Sequence, residues 1–215
     1  MAMTATVSVV ICDDHQILAD GLAALLGAEP DLEIVAVTGS VEEVVAAARD
    51  LAPDVVLMDY ELPDGTGIDA TRRILAAPSR PAIVMLTSFT DDAVLVGAIE
   101  AGANGFVTKH SSPSALAEAV RLAAAGEPVI APSLLMRLLP RLGGGSPVGI
   151  TVSEREREIL LLVADGATNQ EIAERLHLSP NTVRNHLARL YSRLGARSRL
   201  EAVAIAIREG VLPRR

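Results

Sequence analysis

Five short apolar runs, "VSVVIC" at 7–12, "EIVAV" at 33–37, "DVVLM" at 54–58, "AIVML" at 82–86 and "GFVT" at 105–108, alternate with segments of helical period. Those segments are "ILADGLAALLG", "SVEEVVAAARDL", "GIDATRRILAA", "DDAVLVGAIEAG" and, after the last run, "SPSALAEAVRLAAAG". Strands this apolar suit burial on both faces, and strands joined through helices pair in parallel. The pattern predicts an α/β fold with a five-stranded, doubly wound parallel sheet.

In such a sheet, ligand chemistry gathers beyond the carboxyl ends of the strands. Asp13 and Asp14 follow the first run, Asp59 the third, Thr87 the fourth, and Lys109 comes just after the fifth. Three carboxylates at one edge repel one another unless a cation joins them, and oxygen ligands suit Mg²⁺ or Mn²⁺. A single Asp here would read as the start of a helix or turn; the whole set with Thr87 and Lys109 reads as a pocket. No glycine-rich phosphate loop follows the first run, where the chain continues "DDHQILAD". The pocket therefore lacks the usual nucleotide cradle, but it has room for a small phosphoryl group on a carboxylate, and Asp is a competent nucleophile for such a transfer.

Lysine and arginine together number 19, and Lys109 is the single lysine. An ammonium is a compact point charge on a flexible stem, whereas guanidinium is a broad planar fork. A crowded pocket between strands is thus a reason to use Lys where the rest of the chain uses Arg. His15 reads equally as a residue of the first helix start and as a participant in the chemistry, His110 reads chiefly as local structure, and Cys12 reads as a small buried side chain.

The net charge of −8 conceals a split. Residues 1–128 carry 19 Asp and Glu against 6 Lys and Arg, while residues 129–215 carry 8 against 13. An acidic first half joined to a basic second half suggests two domains with different partners, the second facing either a polyanion or, equally on charge alone, only solvent. Between them "PRLGGGSPVG" at 140–149 offers little to bury and much freedom. The expected boundaries are 1–128, a linker at 129–150 containing a short helix, and 151–215. No apolar run reaches 18 residues, no signal peptide is read at the start, and one cysteine forms no disulfide framework. A cytoplasmic protein with no membrane association is the expectation.

The second half is written as capped helices. Ser153 and Glu156 have capping-box spacing, as do Thr168 and Glu171, and Ser179 precedes Pro180 at a first helical position. Val183, Leu187, Leu190 and Leu194 recur at intervals of four, three and four, giving one inward stripe. The opposite side carries Arg184, Asn185, Ala188, Arg189 and Ser192, a surface of cations and an amide. Helix, tight turn and such a helix is an organisation that enters a major groove, where Arg addresses guanine or phosphate and Asn addresses adenine.

Two resemblances follow. Residues 7–125 resemble the receiver domain of two-component response regulators, a flavodoxin-like fold, through "DDH" at 13–15, "LMDYELPDGTG" at 58–67, "TS" at 87–88 and "GFVTKH" at 105–110. The stretch "SEREREILLLVADGATNQEIAERLHLSPNTVRNHLARLYSRLGARSRLEAVAIA" resembles the all-α, four-helix DNA-binding domain of LuxR-type regulators. The first implies Asp59 as phosphoacceptor, and Asp13, Asp14, Asp59 and the Glu61 backbone carbonyl as Mg²⁺ ligands. It also implies Thr87, Phe106 and Lys109 as the groups that sense the phosphoryl group, with Glu61 and Phe89 influencing how long it lasts. The second implies a scaffold helix at 169–176, a recognition helix at 180–194 and a last helix at 199–209. DNA contacts then fall on Thr182, Arg184, Asn185, Ala188 and Arg189, although Ala188 stands where this family often has a basic residue, so one expected DNA contact is absent. Val203 and Ile207 are the expected exposed dimer contacts, with packing against Leu190 and Leu194 as their bland alternative.

Together these imply a DNA-binding transcriptional regulator, not an enzyme. A sensor histidine kinase would phosphorylate it, and it would bind inverted-repeat-like half-sites in double-stranded DNA as a homodimer when phosphorylated. A phosphorylation-independent DNA-binding or interaction module, and a metal-dependent small-substrate phosphotransferase or phosphatase, are the competing readings.

Overall fold

The computed structural model describes residues 6–77, 80–87, 91–138, 141 and 152–213, and none of the described helices is long and apolar enough to cross a membrane. Most of the expected linker at 140–149 lies outside the described residues, as do Ser88 and Phe89. Strands β1 (Val7–Cys12), β2 (Leu32–Thr38), β3 (Val55–Asp59), β6 (Ala82–Thr87) and β7 (Gly105–Thr108) form a parallel sheet in the order β2-β1-β3-β6-β7. Each expected strand lies within a residue or so of its observed bounds. Between them the sequence pattern missed a small antiparallel hairpin, β4 (Glu61–Leu62) and β5 (Gly65–Thr66).

Alternation along each strand divides the core into two layers. Val9, Ile11, Val55, Leu57, Val84 and Leu86 face α1 (Gln16–Leu26) and α5 (Pro113–Ala124). Val10, Cys12, Val56, Met58, Ile83 and Met85 pack with α2 (Val41–Leu51), α3 (Gly67–Leu75) and Ala98 of α4 (Asp92–Ala101). These strand side chains are at most a few per cent exposed, and burying each large one is worth ~1.5–3 kcal/mol. Side-chain caps fix the helix starts. Ser40 accepts from the Glu43 N–H, Thr66 and Asp69 form a capping box, and Ser112 caps α5 with Pro113 in the first turn.

Beyond α5 the chain returns to the sheet. Val129 bridges Gly105 in parallel, and the Phe106 N–H donates to the Val129 carbonyl at 2.6 Å. A Cβ at position 105 would sit 2.1 Å from that carbonyl oxygen, so this edge admits the chain only because residue 105 is glycine. The short helix α6 (Pro132–Leu138) follows within the expected linker.

The second half holds α7 (Glu154–Ala164), α8 (Asn169–Leu176), α9 (Pro180–Leu194) and α10 (Arg199–Arg208). Both capping boxes form, Ser179 caps α9, and Gly166 takes a left-handed conformation just past α7. The stripe Val183, Leu187, Leu190 and Leu194 is buried. One expectation fails: Val203 and Ile207 are 0% and 3% exposed. Every residue from Arg199 to Ile207 is buried, because this helix is apolar on most sides and packs against α4 as well as α7 and α9. Leu95 and Ile99 of α4 and Leu135 and Leu138 of α6 therefore share one apolar cluster with α7 to α10.

Candidate functional site

Parallel register gathers the polar residues at the carboxyl edge. Cys12 pairs with Met58, Asp59 with Leu86, and Thr87 with Thr108, so the residues at or just past these pairs meet. Lys109 Nζ lies 2.7 Å from Asp59 Oδ2 and 2.7 Å from Asp13 Oδ2. The contact with Asp59 is a hydrogen bond. That with Asp13 is an ion pair without hydrogen-bond geometry, which leaves a buried carboxylate oxygen short of a directional partner. Asp59 Oδ1 accepts from the Tyr60 N–H at 2.7 Å, and Asp13 Oδ1 from the His15 N–H at 2.9 Å. Asp13 and Asp14 do not cap α1, whose N-cap is His15, and Asp59 is the buried last residue of a central strand. The bland reading of these carboxylates as helix starts does not describe them.

Burial foremost raises the Asp59 pKa; the Lys109 hydrogen bond opposes this, and the Asp13 charge adds to it. For Lys109 burial acts downward, but its close pairing with Asp13 and Asp59 outweighs it and holds the ammonium protonated. One ammonium among three carboxylates leaves the pocket negative. Ligand atoms of Asp13, Asp14, His15 and Asp59 all lie within 4.8 Å of one another. Hard oxygen donors this close, one of them buried and under-bonded, fit a small divalent cation with waters completing its shell. His15 Nδ1 sits 2.7 Å from Asp14 and 3.4 Å from Asp13, on the exposed rim.

Thr87 is buried at the end of β6, and the Lys109 N–H donates to its carbonyl at 3.3 Å. Phe106, half-buried on β7, packs against both the α2/α3 layer and the cluster shared with α7 to α10. Cys12 is a buried thiol pushed up to about 12, chiefly by burial, which agrees with its structural reading. His110 is exposed.

Two residues that support the pocket escaped the sequence pattern. Asp64 accepts from the Val41 and Glu42 N–H groups at 2.7 and 3.1 Å, tying the β4–β5 turn to the start of α2. A Cβ at Gly67 would lie 2.1 Å from the Asp59 carbonyl oxygen, so glycine is required behind the acidic residue. The signal available in the sequence was the "PDGTG" run itself.

The helix–turn–helix presents the expected surface. Arg184, Asn185, Ala188 and Arg189 are exposed and Thr182 is half-exposed on the outer side of α9. Beside the apolar cluster, the junction between the halves holds a buried polar network. Ser198, the N-cap of α10, donates its hydroxyl to the Ala103 carbonyl at 3.0 Å. Arg199, 1% exposed, pairs with Glu127 at 3.1 Å, with Asn169 Oδ1 at 3.0 Å and with the Ala167 carbonyl. The second Glu127 oxygen accepts from the Asn169 N–H at 3.0 Å, while Arg199 Nε and the Tyr191 hydroxyl are buried without hydrogen-bond partners.

Comparison with known proteins finds two family matches along the chain. Residues 9–121 match the family model for the response regulator receiver domain, and residues 151–206 that for bacterial regulatory proteins of the luxR family. The response regulator protein VraR of Staphylococcus aureus is 34% identical over 207 residues, covering 96% of this chain and 99% of that one. Among solved structures, the response regulator ChrA of a heme-sensing two-component system is 30% identical, with a TM-score of 0.53, and covers 96% of this chain and 99% of its own. A LuxR-family two-component response regulator from Aurantimonas sp. SI85-9A1 is 32% identical, with a TM-score of 0.59 over 64% of this chain and 98% of that one.

Proposed function

The chain belongs to the DNA-binding response regulators that join a receiver domain to a LuxR-type domain, and from that premise we propose that Asp59 is its phosphoacceptor. It is a transcriptional regulator of a two-component system, a family that works with sensor kinases and binds DNA. The observation that carries the assignment is the Lys109 ammonium 2.7 Å from a buried Asp59 carboxylate at the end of a central strand.

In the proposed step, an Asp59 oxygen takes the phosphoryl group from the kinase's phosphohistidine. The new P–O bond forms as the P–N bond breaks and imidazole departs. Mg²⁺, or Mn²⁺ in its place, would be held by Asp13, Asp14, Asp59 and the Glu61 backbone carbonyl, and would offset negative charge between donor and carboxylates. Lys109, which now pairs with two carboxylates, would turn to the phosphoryl oxygens, and the Thr87 hydroxyl would follow them. Phe106 is placed to relay the change, because its N–H holds the Val129 carbonyl and its ring touches the cluster that reaches α10. Any phosphatase action is confined to the protein's own acyl phosphate.

Residues 1–128 and 151–215 act as two units joined by 129–150, in the cytoplasm. Thr182, Arg184, Asn185, Ala188 and Arg189 meet the duplex, with base reading on Arg184 and Asn185 and a phosphate on Arg189. Two copies on paired half-sites bind better than one because the second contact is intramolecular. The last helix, α10, serves such pairing only once it leaves α4.

The test is direct. Incubation with Mg²⁺ and a small phosphodonor should raise the intact mass by one phosphoryl group, in acid-labile form, and chelation of the metal should prevent it. Labelling of the same extent without a divalent cation, or at any residue but Asp59, overturns the assignment.

A further inference from the structure

We propose that Glu127 is the latch that holds α10 against the receiver unit, so that the resting chain withholds its last helix while leaving its reading helix uncovered; this rests on the regulatory reading above. Glu127 lies just past α5, and its own N–H is held by the Leu122 carbonyl at 2.8 Å. One carboxylate oxygen takes the first helical N–H of α8, a donor that has no partner within its helix. The other pairs with Arg199 at the first position of α10. A single side chain of the first unit thus holds two helices of the second.

Arg199 explains why the contact is decisive. Its remaining partners, Asn169 Oδ1 and the Ala167 carbonyl, are neutral and belong to its own unit. Among the described residues, the ion pair with Glu127 is the one that neutralises this cation. Closure without it would leave a buried charge uncompensated, a state far costlier than a solvated one. Opening would return water to Arg199 Nε and the Tyr191 hydroxyl, both buried and unbonded in the closed form. Without Glu127, then, both the lost ion pair and the regained hydration favour separation.

What the latch withholds is read from exposure. Arg184, Asn185 and Arg189 of α9 are exposed, whereas Val203, Ile205 and Ile207 of α10 are buried in the cluster that includes Leu95 and Ile99. Release therefore changes α10, the helix proposed for pairing, and leaves the base-reading side chains as they are.

Amide hydrogen exchange on the full chain, without phosphodonor, tests this. Glu127→Gln keeps an oxygen for the Asn169 N–H but removes the charge, and α4 and α10 should exchange about tenfold faster than in wild type. The strands β1 and β3 should be unchanged, and Glu118→Gln, an exposed carboxylate on α5, should behave as wild type. Unchanged protection of α10 in Glu127→Gln, equal loss in β1 and β3, or the same effect from Glu118→Gln each overturns the latch. Because no phosphoryl group enters the experiment, failure of the Asp59 assignment would appear separately, in the mass of the phosphodonor-treated protein.

Discussion

Lys109 and Arg199 are two basic side chains drawn into the protein by carboxylates, and they differ in what surrounds them. Lys109 is 14% exposed, at a strand end whose rim is formed by the exposed Asp14 and His15. Arg199 is 1% exposed and enclosed by the Ala167 carbonyl, the Asn169 amide and Glu127. The ammonium is a mobile point charge that can exchange one anion for another, while the guanidinium is a fixed planar fork that suits one arrangement of partners. The first arrangement admits a reactant; the second holds a contact until something breaks it. Chemistry and restraint are thus built from the same elements, separated by access to water.

The contrast breaks most visibly at the acceptor. Asp59→Ala should lose the phosphodonor-dependent mass increase altogether, while Arg199→Ala should label as wild type; persistence of the label in Asp59→Ala would place the chemistry elsewhere. Removing the enclosed cation should instead show in stability. Arg199→Ala leaves Glu127 unpaired and should cost ~3–5 kcal/mol in urea unfolding, and a midpoint unmoved from wild type would mean that the junction is not held by charge.

Exchanging one cation for the other sharpens the comparison. Lys109→Arg conserves charge but overfills the pocket, at ~1–3 kcal/mol, so the phosphodonor-dependent gain in DNA affinity should shrink by about an order of magnitude. An undiminished gain in matched titrations would show that any cation serves at this position. Substitutions on the outer side of α9 touch neither region and supply the smallest effects. Asn185→Ala should lose ~1–3 kcal/mol of discrimination at one base position in a selected operator, and equal losses on every sequence would remove it from base reading. Arg189→Ala should weaken all duplexes alike and lower the salt dependence by about one phosphate's contribution; a loss confined to one base would exchange these two roles.

The two regions also differ in how far the sequence discloses them. The pocket is readable because strand ends are readable: each acid, hydroxyl or amine comes right at the end of a buried apolar run, and the parallel fold sends those ends to one edge. The reading helix α9 is readable because one of its sides is polar. The junction is not. Glu127 is 42 residues from Asn169 and 72 from Arg199, and no local period relates them. In α10, Val203 and Ile207 are four apart and look like one free side, but "RLEAVAIAIR" is apolar on most sides, and its sequence does not say which neighbour covers the second. The β4–β5 hairpin escaped because its strands have two residues each, below any period.

The bridge between Val129 and Gly105 has a consequence for solubility. In the order β2-β1-β3-β6-β7, β7 ends the sheet, and an unpaired outer strand is a template for another chain's backbone. Here the protein's own returning segment takes the Phe106 N–H and blunts that margin. Gly105→Ala would push the segment away, since the added methyl carbon would lie 2.1 Å from the Val129 carbonyl oxygen. The β7 margin would then be bared to the margins of other molecules, so the one glycine that lets the chain close on itself also protects it from aggregation.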